Sequence, residues 1–225
     1  MPSHKIHIGI GQEVVKSLRC DKDLFLLGCI LPDLGENHFI SHFKKNHREY
    51  DIPSFLMNCY NSDDPVMMGY LVHLLTDKIY NDYVRDNRFV FNEEHLLNGI
   101  KTNDGIFYGT PKEVSEKKQE GFYDYEYYLV NKGIIDELRM VDLNDLTNID
   151  ECNYDKDYIK EYIDRHDSDI KKKYDEPKYD IFTFEELDNL YKKTIIMATN
   201  FIKNINKVEK RRKLYYNYNV DREKK

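Results

Sequence analysis

The chain has 225 residues, a mass of 27.1 kDa and a formal net charge of −7. This length is enough for one domain with a sizeable core, and 19 tyrosines and 11 phenylalanines supply bulky apolar surface for it. The acidic balance gives no strong nucleic-acid signal, because neutralising phosphates needs an excess of lysine and arginine.

Targeting segments are not evident in the sequence. Residues 1–7 show no basic segment leading into an apolar run and a small-residue cleavage site. No stretch of about 18 apolar residues occurs either, so the sequence predicts a cytoplasmic protein with no transmembrane segment. The oligomeric state does not follow from the sequence.

Apolar side chains recur with a helical period in the first part of the chain, and they predict three helices: 4–18, 23–30 and a third that opens at Pro65. Asp21 caps the second helix and Pro32 stops it, while Asp64 caps the third. The second helix is apolar on almost all sides, which places it in the centre of a helical bundle.

The middle of the chain is more polar. Residues 93–97 predict a short helical piece, 98–105 a loop rich in Gly and Asn, and 123–138 a further helix. Residues 142–180 predict a polar insertion with one exposed helix over 156–165. No strand-like alternation of any length occurs, so the predicted class is all-α, a multi-helix bundle.

The sequence Thr183-Phe-Glu-Glu186 has the pattern of a capping box and predicts a long helix that runs to about Ile205. We therefore expect a single all-α domain over 1–206 and a charged C-terminal tail over 207–225. The tail combines basic residues with tyrosines, a composition that can hold single-stranded nucleic acid. A frayed, solvated terminus is the favoured interpretation.

His73 and Asp77 stand four residues apart within the predicted third helix. Residues at i and i+4 share a helix face, so this imidazole and this carboxylate can point at one ion. A buried carboxylate is costly unless a cation or another partner compensates its charge, and Zn²⁺ would do so. The alternative for His73 is a buried, hydrogen-bonded core histidine.

Other polar residues extend this pattern. Asp33 follows the buried second helix, and His38 and His42 come next at another i, i+4 interval. These segments and the helix of His73 can converge on one pocket. We expect His4 and His47 to be solvent-exposed. We interpret two carboxylates, Asp124 and Glu126, as surface groups.

Taken in order, these motifs resemble the zinc-dependent phospholipase C family and, more remotely, the zinc nucleases that cleave single-stranded nucleic acid. The resemblance covers roughly the first ninety residues. It consists of Met-Pro-Ser-(x)3-His7, Leu-Phe-Leu-Leu-Gly-Cys-Ile-Leu-Pro-Asp33, Ser41-His42 and Gly69-Tyr-Leu-Val-His73-(x)3-Asp77. It implies an all-helical fold with a metal site at one end, like that of the phospholipase C and nuclease enzymes.

The resemblance also implies a set of metal ligands. His7 matches the ligand of a neighbouring zinc, and four residues match ligands around one zinc: Asp33, His42, His73 and Asp77. His38 is the alternative to His42. Asp33, as a ligand or as a base to water, is the expected catalytic residue.

The family pattern continues with a further histidine and a His-(x)3-Glu element, which this chain lacks. Gly99 stands four residues after His95, and Ile170 stands four residues after His166. We therefore expect one or two zinc ions as cofactor rather than three.

The leading hypothesis is a metal-dependent hydrolase that cleaves a small phosphoester or a phospholipid head group with a zinc-activated water. One alternative is a nucleotide phosphohydrolase of the His-Asp type, with His166 and Asp167 as its pair. Another is a non-catalytic family member that acts as a binding or scaffold protein. The position of a bound metal would separate these hypotheses, but the sequence does not identify the substrate.

Overall fold

The computed structural model describes residues 2–46, 49–143 and 154–223, with the backbone alone for 210–223. Helices make up most of the described chain: α1 His4–Val15, α2 Lys22–Gly28, α3 Leu31–Leu34, α4 His38–Ser41, α5 Ile52–Asn58, α6 Pro65–Asn87, α7 Pro111–Asn131, α8 Lys156–Asp169 and α9 Phe184–Glu223. The strands are short: β1 Lys44–Asn46, β2 Glu49–Tyr50, β3 Phe89–Phe91, β4 Leu97–Thr102 and β5 Gly105–Tyr108. The mainly helical character expected from the sequence is confirmed.

The strands correct the expectation of an all-α chain. β3, β4 and β5 form an antiparallel sheet, so the helical piece expected over 93–97 and the loop expected over 98–105 are both wrong. Thr102 pairs with Gly105 across a two-residue turn of Asn and Asp. β-Branched and aromatic residues flank this turn, and together they favour a hairpin.

Local capping residues determine where three helix ends lie. The Asp21 side chain accepts hydrogen bonds from two N–H groups at the start of α2, as predicted. α7 begins at Pro111 rather than at residue 123, because Thr110 and Glu113 form a capping box. Gly133, with φ +63°, follows α7 and favours its end at Asn131 rather than at residue 138.

α8 occupies the place of the exposed helix expected over 156–165. Of the insertion expected over 142–180, residues 144–153 lie outside the described ranges. α9 begins after the predicted capping box and continues to Glu223, so its backbone is helical through most of the segment expected as a tail. The tail's basic and tyrosine side chains lie outside the described part.

Two glycines bring the backbones of α2 and α6 into direct contact. A Cβ on Gly69 would lie 1.9 Å from the carbonyl oxygen of Phe25, and a Cβ on Gly28 would lie 2.1 Å from that of Val66. No side chain fits at these distances. His73 lies one turn after Gly69, so this contact holds His73 against the end of α2.

Within the described ranges, none of the helices has the length and apolar character that crossing a membrane requires.

Glu186 connects the start of α9 to the end of α6. Its carboxylate accepts hydrogen bonds from Tyr83 Oη at 2.7 Å, from Arg88 Nε at 3.1 Å and from the Thr183 N–H at 2.9 Å. Partial burial opposes ionisation, but Arg88, Thr183 and Tyr83 outweigh it and lower the pKa of Glu186 to about 2. The ionised carboxylate therefore stabilises the native state.

We expect Gly69→Ala to lower the free energy of unfolding by about 2 kcal/mol, because the added methyl group forces the two helices apart. At an open helical position the same change would stabilise by about 1 kcal/mol. Urea denaturation measures the sign of the change in the free energy of unfolding. An unchanged or increased free energy of unfolding would contradict the close contact.

We expect Glu186→Gln to lower the free energy of unfolding by about 1 kcal/mol at pH 7, a value reduced for partial exposure. The stabilisation is complete above the ordinary carboxyl pKa of 4.5 and is lost as the pH falls through the native pKa of about 2. Urea denaturation between pH 7 and pH 2 checks this. A difference between variant and wild type that does not shrink with falling pH would contradict it.

Candidate metal centre

All the predicted metal ligands meet at one point, where α1, α3 and α6 converge with the end of α4. α1 contributes His7, α3 contributes Asp33, His42 follows α4, and α6 contributes His73 and Asp77. One ligand atom from each of His42, His73 and Asp77 lies within 4.8 Å of the others, and the same holds for His7, Asp33 and His73. This His/Asp cluster can hold a metal ion.

Asp77 lies at the bottom of the cluster and is fully buried. His7 Nε2 is 3.3 Å from Asp77 Oδ1, while His42 Nε2 and His73 Nε2 are 3.5 and 3.7 Å from Asp77 Oδ2. Tyr50 Oη donates a hydrogen bond to Asp77 Oδ2 at 3.3 Å and accepts one from Asn81 Nδ2 at 2.5 Å. One carboxylate thus faces three imidazoles.

Asp33 lies on the opposite side of the cluster, next to a cavity. Its Oδ1 is 3.2 Å from His42 Nε2 and 3.9 Å from His73 Nε2. Its Oδ2 is 3.3 Å from His4 Nε2. Asp33 therefore connects the buried cluster to residues that solvent reaches.

Backbone carbonyls fix the orientation of two of the histidines. His73 Nδ1 donates to Cys29 O at 2.7 Å, and His42 Nδ1 donates to His38 O at 2.9 Å. In a neutral ring the other nitrogen, Nε2, then carries a lone pair. These two Nε2 atoms are only 3.2 Å apart, so their lone pairs repel unless a proton or a cation lies beside them.

The His7 ring also lacks partners. It stacks on the His73 ring with centroids 3.8 Å apart and an interplanar angle of 7°. Among the described residues, neither ring nitrogen of His7 has a hydrogen-bond partner, and the same is true of Asp77 Oδ1 despite its distance from His7. Buried polar atoms without partners are rare. The donor set therefore fits a cation.

The electrostatics keep most of the cluster in the form that a metal needs. Burial lowers the pKa of His7 to about 4 and also lowers that of His42, so both rings are neutral near pH 7. Burial opposes protonation of His73 as well, but Asp33 and Asp77 outweigh it and raise the His73 pKa. The neighbouring histidines hold the pKa values of both carboxylates below their usual range despite burial.

The two candidate histidines after Asp33 differ in burial. His42 is fully buried and approaches both carboxylates, whereas His38 is exposed at the start of α4. The two rings are 3.7 Å apart between centroids, and His38 forms a third possible metal group with Asp33 and His42. His38 thus lies beside His42 at the cavity and stays a candidate ligand.

Two residues near the cluster differ from their expected roles. His4 keeps 43% side-chain exposure, but its Nδ1 is 2.5 Å from Tyr162 Oη and its Nε2 contacts Asp33. Glu126 is buried, with 5% exposure, and accepts a hydrogen bond from Lys5 Nζ at 2.6 Å, so its interpretation as a surface carboxylate is wrong. The sequence gave no direct indication of these contacts, because His4 and Tyr162, like Lys5 and Glu126, are far apart in the chain. His47 lies outside the described residues.

A cavity of about 770 Å³ opens above the cluster. Its walls come from the start of α1, from α7 and from α8, with Asp33 and His38 at its base. Four basic side chains line it: Lys5, Lys44, Lys118 and Arg165. A small anionic molecule can reach Asp33 through this cavity.

His166 and Asp167, the alternative catalytic pair, have structural partners. His166 Nε2 is 3.2 Å from Asp136 O, and Asp167 Oδ1 accepts the Leu138 N–H at 2.9 Å. Neither belongs to any of the possible metal groups found among the described residues. The pair thus holds the segment after α7 against α8.

Comparisons with models of known protein families, with curated proteins and with solved structures found no match. The case for a metal at this centre therefore rests on the chemistry of the donor set.

We expect the purified protein, prepared without chelator or a metal-affinity tag, to contain one or two equivalents of a divalent metal. His73→Ala should lower the metal content to less than about a tenth of an equivalent, because His73 belongs to two of the three possible groups. Elemental analysis measures the content.

A matched control for this variant is His95→Asn. His95 is an exposed histidine in the β3–β4 connection with φ +60°, a conformation that Asn tolerates. The control should retain the metal of the wild type. Equal loss in both variants, or a wild type without metal even after zinc addition, would contradict a metal centre at His73.

Proposed function

We propose that this protein is a zinc-dependent hydrolase of phosphoesters. The observation that carries the proposal is the pair of Nε2 atoms of His42 and His73, which face each other beside two ionised carboxylates. A cation between them removes the repulsion of the lone pairs and the cost of the buried negative charge together.

The donor types favour zinc. Three imidazoles and two carboxylates form a nitrogen and oxygen set, which suits Zn²⁺, whereas Mg²⁺ and Ca²⁺ prefer oxygen ligands alone. Asp33, His42 and His73 each belong to two of the three possible groups. This overlap supports one ion, or two ions that share ligands, as expected from the sequence.

When bound, Zn²⁺ supplies a Lewis acid that makes water more acidic and stabilises negative charge on phosphoryl oxygens. Asp33 is the residue placed to move the proton. Its Oδ1 faces the cluster, while its Oδ2 lies next to His4 at the cavity. Asp33 can therefore accept a proton from a water molecule that attacks a substrate in the cavity.

His4 and Tyr162 orient Asp33 for this role. Tyr162 Oη holds His4 Nδ1, and His4 Nε2 approaches the outer oxygen of Asp33. This chain of contacts limits rotation of the carboxylate. The phospholipase C-like motifs of the first ninety residues support a phospholipid head group or a small phosphoester as substrate.

One observation favours a second candidate, a binding or scaffold protein whose metal is structural. His7, His42, His73 and Asp77 are each no more than 1% exposed. Closed sites of this kind commonly stabilise a fold without catalysis. Asp33, with 7% side-chain exposure at the cavity, is the feature that favours the hydrolase over this candidate.

We expect the zinc-loaded protein to hydrolyse a phosphodiester such as bis(p-nitrophenyl) phosphate or phosphatidylcholine. Asp33→Asn should lower kcat about 100-fold or more, because the amide cannot accept the proton. Turnover is measured beside the zinc content of each sample, which separates loss of the base from loss of metal.

His95→Asn should keep the wild-type rate, since His95 lies outside the cluster. Absence of turnover in a zinc-loaded protein whose thermal stability increases with zinc would reject the hydrolase and leave the structural site.

A further inference from the structure

The cavity contains a buried ammonium group that the metal chemistry does not use. Lys118 projects from α7, lines the cavity and is only 6% exposed. Among the described residues, no carboxylate lies within ion-pair distance of Lys118 Nζ. Its ammonium lies 5.9 Å from the centroid of the Phe122 ring, a contact that compensates burial only weakly.

Lys44, in β1, lines the same cavity. Its Nζ is 3.5 Å from His38 Nε2 and 5.4 Å from the centroid of the Tyr50 ring. The charges of Lys44 and Lys118 interact with each other, and each interacts with Asp77. Two positive charges therefore lie at the same cavity.

The carboxylates that line the cavity do not neutralise Lys118, because other cations lie beside three of them. Lys5 pairs with Glu126 at 2.6 Å, Lys172 with Asp169 at 2.5 Å, and Lys112 approaches Glu116 at 3.8 Å. At the base, a single divalent ion would balance the charges of Asp33 and Asp77. Lys44, Lys118 and Arg165 line the cavity beside Lys5, and Lys118 adds a positive charge that no described carboxylate pairs with.

We propose that Lys118 and Lys44 form a binding site for the phosphoryl group of the substrate, with the phosphate oxygens between the two ammonium groups. This inference rests on the proposed function in so far as the bound phosphate is that of the substrate. The site takes anionic phosphoesters and also inorganic phosphate. It makes Lys118 the residue that positions the phosphorus over Asp33.

The location of the site explains how a phosphate can be bound with one or two metal ions rather than three. A one-metal cluster with two carboxylates has no net charge with which to attract an anion. The two ammonium groups provide this attraction in a partly enclosed cavity, where charge-assisted hydrogen bonds are strong. A buried lysine without a carboxylate partner among the described residues costs stability, which a binding role explains.

The test is isothermal titration of the full chain with inorganic phosphate, in a chelator-treated and in a zinc-loaded sample. Lys118→Met should weaken phosphate binding by about 10-fold or more, the value of one charge-assisted hydrogen bond. It should leave the zinc content unchanged. Its thermal stability should equal or exceed that of the wild type, because the variant removes a buried charge.

The matched control is Lys117→Met. Lys117 directly precedes Lys118 in α7. It pairs with Glu120 at 2.6 Å and does not line the cavity. The change in net charge is the same, so the control should alter phosphate binding by less than about 2-fold, the screened effect of a surface charge. A second variant, Lys44→Met, should reproduce the effect of Lys118→Met if both ammonium groups hold one anion.

Equal weakening in Lys118→Met and Lys117→Met would overturn the site, as would a wild type that binds no phosphate in either sample. Zinc-dependent turnover with an unchanged KM in Lys118→Met would overturn the site and leave the hydrolase intact. Phosphate binding that needs Lys118 in a protein without zinc or turnover would support the anion site and reject the hydrolase.

Discussion

The rest of this structure depends on one constraint: the Nε2 atoms of two histidine rings face each other at close range. His42 and His73 come from different segments, and each has its Nδ1 fixed by a backbone carbonyl, so neither ring can turn its Nε2 away. The two rings can stay together only if positive charge lies beside them. Asp33 and Asp77 strengthen that requirement. α3, the end of α4 and the middle of α6 are therefore arranged around one electrostatic requirement.

Helix packing sets the positions of the polar groups in the cluster. Gly69 lets the backbone of α6 touch α2, and this contact brings His73 within hydrogen-bond distance of the carbonyl of Cys29. Ser41 Oγ donates to the Pro32 carbonyl at 2.6 Å, which ties the end of α4 to α3. Polar groups at the site are thus placed by close backbone approach and short hydrogen bonds, and an apolar core surrounds them.

Local patterns predict the parts of the fold and site that depend on near neighbours in sequence. The caps at Asp21 and Asp64 and the i, i+4 pair of His73 and Asp77 need only helical geometry. The Thr-(x)2-Glu pattern of the Thr110 capping box is equally local, although the helix expected from the sequence begins only at residue 123. Lys118 had no pattern at all, since its importance arises from α7 packing over a cluster formed elsewhere in the chain.

The candidate metal ligands all lie early in the chain, which bears on how the protein assembles. All five belong to residues 7–77, whereas the α7 and α8 walls of the cavity come later. During synthesis, every ligand leaves the ribosome before the chain can build those walls. Metal can then join the nascent bundle early and hold its helices together, since binding energy at such a site adds to folding energy. The cavity thus closes over a cluster whose residues are already in place.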